Sequence, residues 1–160
     1  DILLRSMADE KIKKLDVKLI VAGEFYSDPG DYHHLIEVMK INERVIMHAE
    51  FIPDSRVALY FNAADLVVQP YRTATQSGVT QIAYHFNKPM VVTNVGGLAE
   101  MVPDGIAGYV VNPDHNDVAD AIVDFYQHSR ESAMVKAVSE EKQKYSWENL
   151  TAKIDELMYG

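Results

Sequence analysis

The stretch DLVVQPYRTATQSGVTQIAYHFNKPMVVTNVGG, residues 65–97, decides the fold class of this chain. It holds two apolar runs, residues 65–70 and 89–94, separated by small polar residues and by a segment with helical periodicity. Runs that are nearly continuous in Val, Ile and Leu are typical of parallel strands covered on both faces. The stretch therefore predicts a strand, a loop, a short helix and a second, parallel strand.

Three further apolar runs extend this pattern, at residues 17–23, 44–49 and 108–112. Segments of helical period lie between the runs, and strands that alternate with helices are the signature of a parallel sheet with crossover helices. The predicted fold class is α/β, a wound parallel sheet of five strands with helices on both faces.

Capping residues predict where two of the helices begin, one at Ser55 and another at Asn116 or Asp117. Residues 1–15 and the tail also have an apolar side typical of helices. In the tail this side consists of Trp147, Leu150, Ile154 and Leu157. Because the chain opens in a helix with no strand before it, we expect the sheet to lack its first strand and to have an unpaired edge or gap.

Composition narrows the classes of function. The 160 residues, 48% of them hydrophobic, suffice for one domain over residues 1–160. The net charge of −9 and the lack of a basic run argue against nucleic acid as a partner. No cysteine is present and the six histidines lack zinc-site spacing, so we expect no metal, no cofactor and a cytoplasmic protein.

The small polar cluster between the two central strands is the candidate ligand site. Ser77 or Gly78 can cap the following helix, whose first N–H groups carry partial positive charge and favour phosphate by about 0.3–1 kcal/mol. Gly23 and the pair Gly96 and Gly97 also follow strands, at the carboxyl edge where ligands of wound sheets bind. Ordinary turn chemistry explains the same residues, so the layout alone names no ligand.

Four segments together carry a resemblance to a known family. They are LIVAGEFY, RVIMHAEFIPDSRVALYFNAADLVVQPYR, NKPMVVTNVGGLAEMVPDGIAGYVVNPDHNDVADAI and YSWENL. In order and spacing they resemble the C-terminal, donor-binding domain of a retaining glycosyltransferase of group 1, which has two facing Rossmann-like domains (the GT-B fold). The resemblance implies a Rossmann-like domain that binds a nucleotide sugar as substrate, without its N-terminal acceptor domain, and a fragment that is inactive alone.

The resemblance also implies which residues contact the donor. The loop after the second strand would contact the base, and the loop before the short helix would hold the diphosphate through its backbone amides. The partners implied are the nucleotide-sugar donor and the missing N-terminal domain, with self-association of the fragment and membrane-surface contact of the full protein as further expectations. The donor-binding residues implied are Gly23, Phe51, Ile52, Thr75, Gln76, Ser77, Gly78, Val79 and Thr80.

The sequence departs from its relatives at two positions. Members of the family commonly carry two glutamates eight residues apart, and these positions correspond to Ala74 and Ile82 here. A carboxylate clamp on the ribose is therefore absent, although Thr80 or Gln81 could offer neutral hydrogen bonds. Arg72 is the nearest candidate cation for the diphosphate. The alternatives left open are a non-catalytic nucleotide-sugar binding module and a sugar-nucleotide epimerase or phosphorylase of the same fold.

Overall fold

The computed structural model describes residues 1–25, 28–145 and 158, and it confirms the α/β class with parallel strands. Each described strand lies inside one of the five apolar runs, so the predicted order of strands is confirmed. The strands are β1 (Leu19–Ala22), β2 (Val45–His48), β3 (Val67–Gln69), β4 (Met90–Thr93) and β5 (Gly108–Val111).

Helices precede β1 and follow every strand. They are α1 (Ile2–Met7), α2 (Glu10–Lys13), α3 (Gly30–Val38), α4 (Asp54–Ala63), α5 (Gly78–His85), α6 (Leu98–Met101), α7 (His115–Gln127) and α8 (Glu131–Glu141), with 3₁₀ turns at Asn42–Arg44 and Lys142–Tyr145. None of the helices within the described residues has the length and apolar character needed to cross a lipid bilayer. The apolar pattern predicted for the tail, residues 147–157, lies outside the described residues.

The two predicted helix caps were wrong by two or three residues. Helix α4 follows Pro53 in extended conformation, which places Ser55 inside the first turn. Helix α7 is capped by Asp114, whose side chain accepts a 2.8 Å hydrogen bond from the amide of Asn116. In both helices the cap is the last residue with extended backbone angles, and the predicted residues already have helical ones.

The strands form two separate parallel ladders. One ladder pairs β1 with β2, with Leu19 opposite Val45, and the other has the order β3-β4-β5. Within the described residues, no strand pairing joins β1 to β3, so each of these strands has an unpaired edge. The expected gap is therefore present between the two ladders.

Helices cover both faces of the three-stranded ladder. Val91 packs into one apolar cluster with residues of α1, α2, α3 and α7, whereas its neighbours Met90 and Val92 pack into a second cluster with α5, α6 and α8. Because successive side chains of a strand point to opposite faces, these two clusters lie on the two sides of β4. All four residues of β4 are buried.

The two-stranded ladder is covered on one face only. Ile20 of β1 and Ile46 of β2 are 40% and 38% exposed, while the alternate residues of both strands join the cluster with α1 and α3. Helix α4, which follows β2, buries none of its residues, and its Leu59 is 64% exposed. The cover expected on both faces of the strands is therefore less complete at β1 and β2 than at β4.

Candidate functional site

The loop of residues 71–77 connects the carboxyl end of β3 to the start of α5. Ser77 caps this helix, because its Oγ accepts a 3.2 Å hydrogen bond from the amide of Val79. The amides of Gln76, Ser77 and Gly78 have no hydrogen-bond acceptor within the described part of the chain, and Gln76 and Gly78 are exposed. Three consecutive main-chain donors are thus left unpaired at the start of a helix, where partial positive charge is concentrated.

Two of the residues predicted to contact the donor are already engaged. The amide of Val79 is bonded to Ser77, and Thr80 is fully buried with its hydroxyl donating to Oε1 of Gln69 at 3.0 Å. The Thr80 hydroxyl is thus directed at Gln69 and not at the surface, and its contact with a donor stays a prediction. Its β-branched side chain lies on the inner face of α5, the face that also buries Ala83 and Tyr84 three and four residues further on.

The glycine pair after β4 contacts this loop directly. Gly96 has a φ of +53°, and a Cβ there would overlap the carbonyl oxygen of Ala74. The amide of Gly97 donates a 2.9 Å hydrogen bond to the carbonyl oxygen of Thr75. The pair therefore supports the loop from behind, and its small residues allow one backbone to approach another.

The other predicted donor contacts follow the strands of the first ladder. Gly23 ends β1 with a φ of +136°, and its amide is bonded to the carbonyl oxygen of His48 at 3.1 Å. Phe51 and Ile52 lie in the loop after β2, where Phe51 is 66% exposed and Ile52 is half-buried. Phe51 therefore presents an aromatic ring to solvent at the carboxyl edge of its ladder and does not pack into the core.

Charge near the loop is limited. Arg72 has a side chain that is 67% exposed, and its Nη2 lies 3.0 Å from Oδ2 of Asp1, which offsets part of its positive charge. Ala74 is half-buried and Ile82 is 36% exposed on α5. No carboxylate stands at either position, so the main-chain donors are the principal groups for an anion on this segment.

Two cavities lie elsewhere on the molecule. One, of about 500 Å³, lies between the starts of α1 and α3, and the other, of about 420 Å³, is lined by four aspartates that include Asp117 and Asp124. Neither cavity is lined by residues 74–79. No group of three or more His, Asp or Glu side chains among the described residues could hold a metal ion.

The acidic cavity contains two groups whose pKa values are shifted, Tyr109 and Asp124. The hydroxyl of Tyr109 donates to Oδ2 of Asp124 at 2.7 Å, and this hydrogen bond lowers the pKa of the Asp124 carboxyl. Burial, together with this carboxylate, raises the pKa of Tyr109 well above its ordinary value. A cavity lined by several carboxylates repels phosphate, so this cavity does not compete with the loop as an anion site.

Sequence reasoning missed three residues that hold the loop in place: Gln69, Tyr71 and Thr93. Gln69 and Thr93 are buried at the ends of β3 and β4, and both bond to other parts of the segment that carries the unpaired amides. The sequence does contain a signal for two of them, since Gln69 and Thr93 are polar residues in otherwise apolar strands. Their partners could not be identified without the register of the strands.

Comparison with known proteins assigns the chain to a family. The sequence profile described as glycosyl transferases group 1 matches residues 1–128. A D-inositol 3-phosphate glycosyltransferase of Mycobacterium marinum is 33% identical over 161 aligned residues, covering 94% of this chain and 33% of the relative. This chain belongs to the family of group 1 glycosyl transferases.

Solved structures give the particular fold within that family. The C-terminal domain of a group 1 glycosyl transferase (LpcC) from Francisella tularensis matches with a TM-score of 0.81 at 18% identity, over 91% of this chain and 78% of that one. The Anabaena protein HepE in complex with UDP matches with a TM-score of 0.79 at 22% identity, over 98% of this chain and 44% of that one. The fold is therefore the Rossmann-like fold of a GT-B glycosyltransferase domain, and the chain spans about a third of the length of the curated relative from M. marinum.

Proposed function

We propose that this chain binds the nucleoside diphosphate part of a nucleotide sugar and serves as the donor-binding part of an enzyme that transfers the sugar to an acceptor with retention. Membership of the group 1 glycosyl transferases supports the transferase class. The Anabaena protein of similar fold has been solved with UDP and with UDP-glucose, which supports a nucleotide sugar as donor.

The observation that carries this proposal is the set of unpaired amides of Gln76, Ser77 and Gly78. A diphosphate is an anion with several acceptor oxygens, and fixed N–H groups at a helix start bind such an anion without a positively charged side chain. In a chain of net charge −9, these donors matter more because cations are scarce. The same amides would stabilise the charge that grows on the diphosphate as it leaves the sugar.

The exposed ring of Phe51 supplies a surface against which a base can stack. Base contacts would add binding energy remote from the reacting bond and so position the anomeric carbon for the acceptor. The acceptor site belongs to the N-terminal domain that the resemblance implies, so sugar transfer requires the longer protein.

Gly78→Pro tests the proposal, because it deletes one unpaired amide at a position that tolerates proline. Gly78 is the first residue of α5, where proline is favoured, and Ser77 before it has an extended ψ of 125°, which proline requires of its neighbour. Gly78→Ala is the matched control, since a Cβ at this position meets no atom within 4 Å and the amide is kept.

Binding of UDP, GDP and ADP is measured by calorimetry for the native chain and both variants. We expect at least one nucleoside diphosphate to bind, Gly78→Ala to match the native affinity, and Gly78→Pro to weaken binding by at least about tenfold. Equal affinity of the proline and alanine variants would show that the Gly78 amide does not hold the diphosphate and that the site lies elsewhere. Failure of the native chain to bind any of the three would reject the proposed donor class.

A non-catalytic binding module is the second candidate, and Ala74 and Ile82 favour it because neither supplies the carboxylate common in the family. The longer protein distinguishes the two. Release of a nucleoside diphosphate that requires an acceptor indicates transfer, whereas binding without release indicates a module. An epimerase would change the sugar without an acceptor, and a phosphorylase would require inorganic phosphate.

A further inference from the structure

Four polar side chains are buried in the described part of the chain, and three of them meet at the base of the loop of residues 71–77. These three are Gln69 at the end of β3, Thr80 in the first turn of α5 and Thr93 at the end of β4. Gln69 is 2% exposed and both threonines are fully buried. The interior at this point is otherwise apolar, formed by Met90, Val92 and the inner face of α5.

The first connection ties the helix to the strand before it. Thr80 Oγ1 donates to Gln69 Oε1 at 3.0 Å, so the first turn of α5 is bonded to the last residue of β3. The Nε2 of Gln69 faces the sulfur of Met90 at 3.8 Å, which is a weak acceptor. Most of the hydrogen bonding of the Gln69 side chain is therefore directed at Thr80.

The second connection ties the loop to the neighbouring strand. Thr93 Oγ1 donates to the carbonyl oxygen of Tyr71 at 2.6 Å, which fixes the first residue of the loop against β4. The hydroxyl of Tyr71 lies 3.4 Å from Oγ of Ser77, the residue that caps α5. The ring of Tyr71 thus links the first residue of the loop to the last.

Apolar side chains would fill this interior without the desolvation cost that buried polar groups carry. Directional hydrogen bonds give something that apolar packing does not, because they specify one arrangement of the groups that they join. The Gln69–Thr80 bond and the Tyr71–Ser77 contact join the two ends of this segment, and the Thr93 bond ties its first residue to β4. The unpaired amides of Gln76, Ser77 and Gly78 lie at its helical end. The bonds therefore fix the part of the chain on which the amide donors are carried.

We infer that Gln69, Thr80 and Thr93 are positioning residues, which hold residues 71–78 in one conformation so that the amides meet a diphosphate without first being ordered. A site that is ordered in advance loses less conformational freedom on binding and so binds more tightly. The part of this inference that concerns the diphosphate rests on the proposed function. The part that concerns the order of the loop does not.

The test uses two variants that remove the Gln69–Thr80 bond and one that keeps it. Thr80→Val removes the hydroxyl at nearly constant shape, and it leaves the Gln69 oxygen buried without its donor. Gln69→Leu with Thr80→Val replaces both partners by apolar groups, which restores stability while the bond stays absent. Thr80→Ser keeps the hydroxyl and should preserve native behaviour.

Two measurements are made on the native chain and on each variant. Backbone ¹⁵N order parameters of residues 73–79 are measured without ligand, and affinities are measured for UDP, GDP and ADP and for uridine, guanosine and adenosine. In the double variant we expect a native melting temperature, loop order parameters that fall from about 0.85 toward 0.6, and diphosphate affinity about tenfold weaker. Affinity for the nucleoside should not change, because a nucleoside has no phosphate for the loop to hold.

Unchanged order parameters in a stable double variant would overturn the positioning role, whether or not any nucleotide binds. The positioning role would also be overturned if the loop were ordered, and the diphosphate affinity equal, in the native chain and the double variant. A loop that loosens in the double variant, together with a native chain that binds no diphosphate, would reject the proposed function while leaving the positioning role intact. The Thr80→Ser chain must match the native one, since loss of order there would show that shape and not the hydroxyl is responsible.

Discussion

The amide of Gly97 donates a 2.9 Å hydrogen bond to the carbonyl oxygen of Thr75, and this bond joins two loops that follow neighbouring strands. It uses the acceptor of Thr75 and leaves the donors of the next three residues unpaired. The bond therefore fixes the position of the loop without occupying the groups that an anion would need. The glycines after β4 therefore support the loop that carries the three unpaired amides.

Gly96→Ala should destabilise the fold more than Gly105→Ala, although both glycines have positive φ angles. A Cβ at Gly96 would overlap the carbonyl oxygen of Ala74, whereas a Cβ at Gly105 meets no atom within 4 Å. We expect a loss in free energy of unfolding of about 2–4 kcal/mol at Gly96 and about 1 kcal/mol at Gly105. Urea denaturation measures both, and equal losses would show that backbone strain alone accounts for the effect.

Ser77→Ala should lower the free energy of unfolding by about 0.5–2 kcal/mol, because it removes the cap of α5. Ser55→Ala is the control, since Ser55 is exposed in the first turn of α4 and caps nothing. A change within about 0.5 kcal/mol is expected there. A loss at Ser55 as large as that at Ser77 would contradict the assignment of the cap.

Tyr109→Phe should destabilise the fold more at neutral pH than in acid. The hydrogen bond from Tyr109 lowers the folded-state pKa of Asp124, so its contribution is full above the ordinary carboxyl pKa of about 4 and is lost as pH falls through the lower folded value. Urea denaturation from pH 7 to about 3 should show the two proteins converging in acid.

Tyr32→Phe serves as the control for this pH dependence, because the Tyr32 hydroxyl makes no hydrogen bond among the described residues. Its effect should not vary with pH in the acid range. A difference between native and Tyr109→Phe chains that grows as the pH falls would have the wrong sign for a lowered carboxyl pKa.

Leu98→Ala and Leu59→Ala should differ sharply in their effect on stability. Leu98 is fully buried in the apolar cluster that contains Met90 and Val92, and its truncation should lower the free energy of unfolding by about 2–5 kcal/mol. Leu59 is 64% exposed on α4, so its truncation should cost less than about 0.5 kcal/mol. Thermal or urea unfolding measures both, and a large loss at Leu59 would mean that α4 is covered in solution.

Much of the fold could be predicted from local pattern. The five apolar runs fixed the strands to within two residues at each end, because a buried parallel strand must be apolar along its whole length. Ser77 or Gly78 was predicted as the cap of α5 because small residues lie there between a turn and a helical pattern, and Ser77 is the one that caps the helix. The exposed faces of Ile20 and Ile46 could not be predicted, since a strand with one bare face can have the same composition as a fully buried one.

The sequence predicted which segment carries unpaired amides, but not how each group in that segment is bonded. A cluster of small polar residues indicated free amides, and three of the four predicted at residues 76–79 are unpaired among the described residues. Sequence spacing could not show that the amide of Val79 is used by the cap or that Thr80 faces inward toward Gln69. Those facts depend on how α5 is rotated against β3, and tertiary packing sets that rotation.

The two ladders also divide the molecule mechanically. No main-chain hydrogen bond joins β1 to β3 in the described residues, so the halves are coupled by one apolar cluster and by side-chain polar contacts such as Ser6 to His115 and Arg72 to Asp1. Strands with a bare face open at lower energy than strands packed on both sides. Main-chain amides of β1 should therefore exchange with deuterated solvent faster than those of β4, through local openings that leave β4 closed. The segment that carries the unpaired amides of Gln76, Ser77 and Gly78 follows β3 and so belongs to the half that exchanges more slowly.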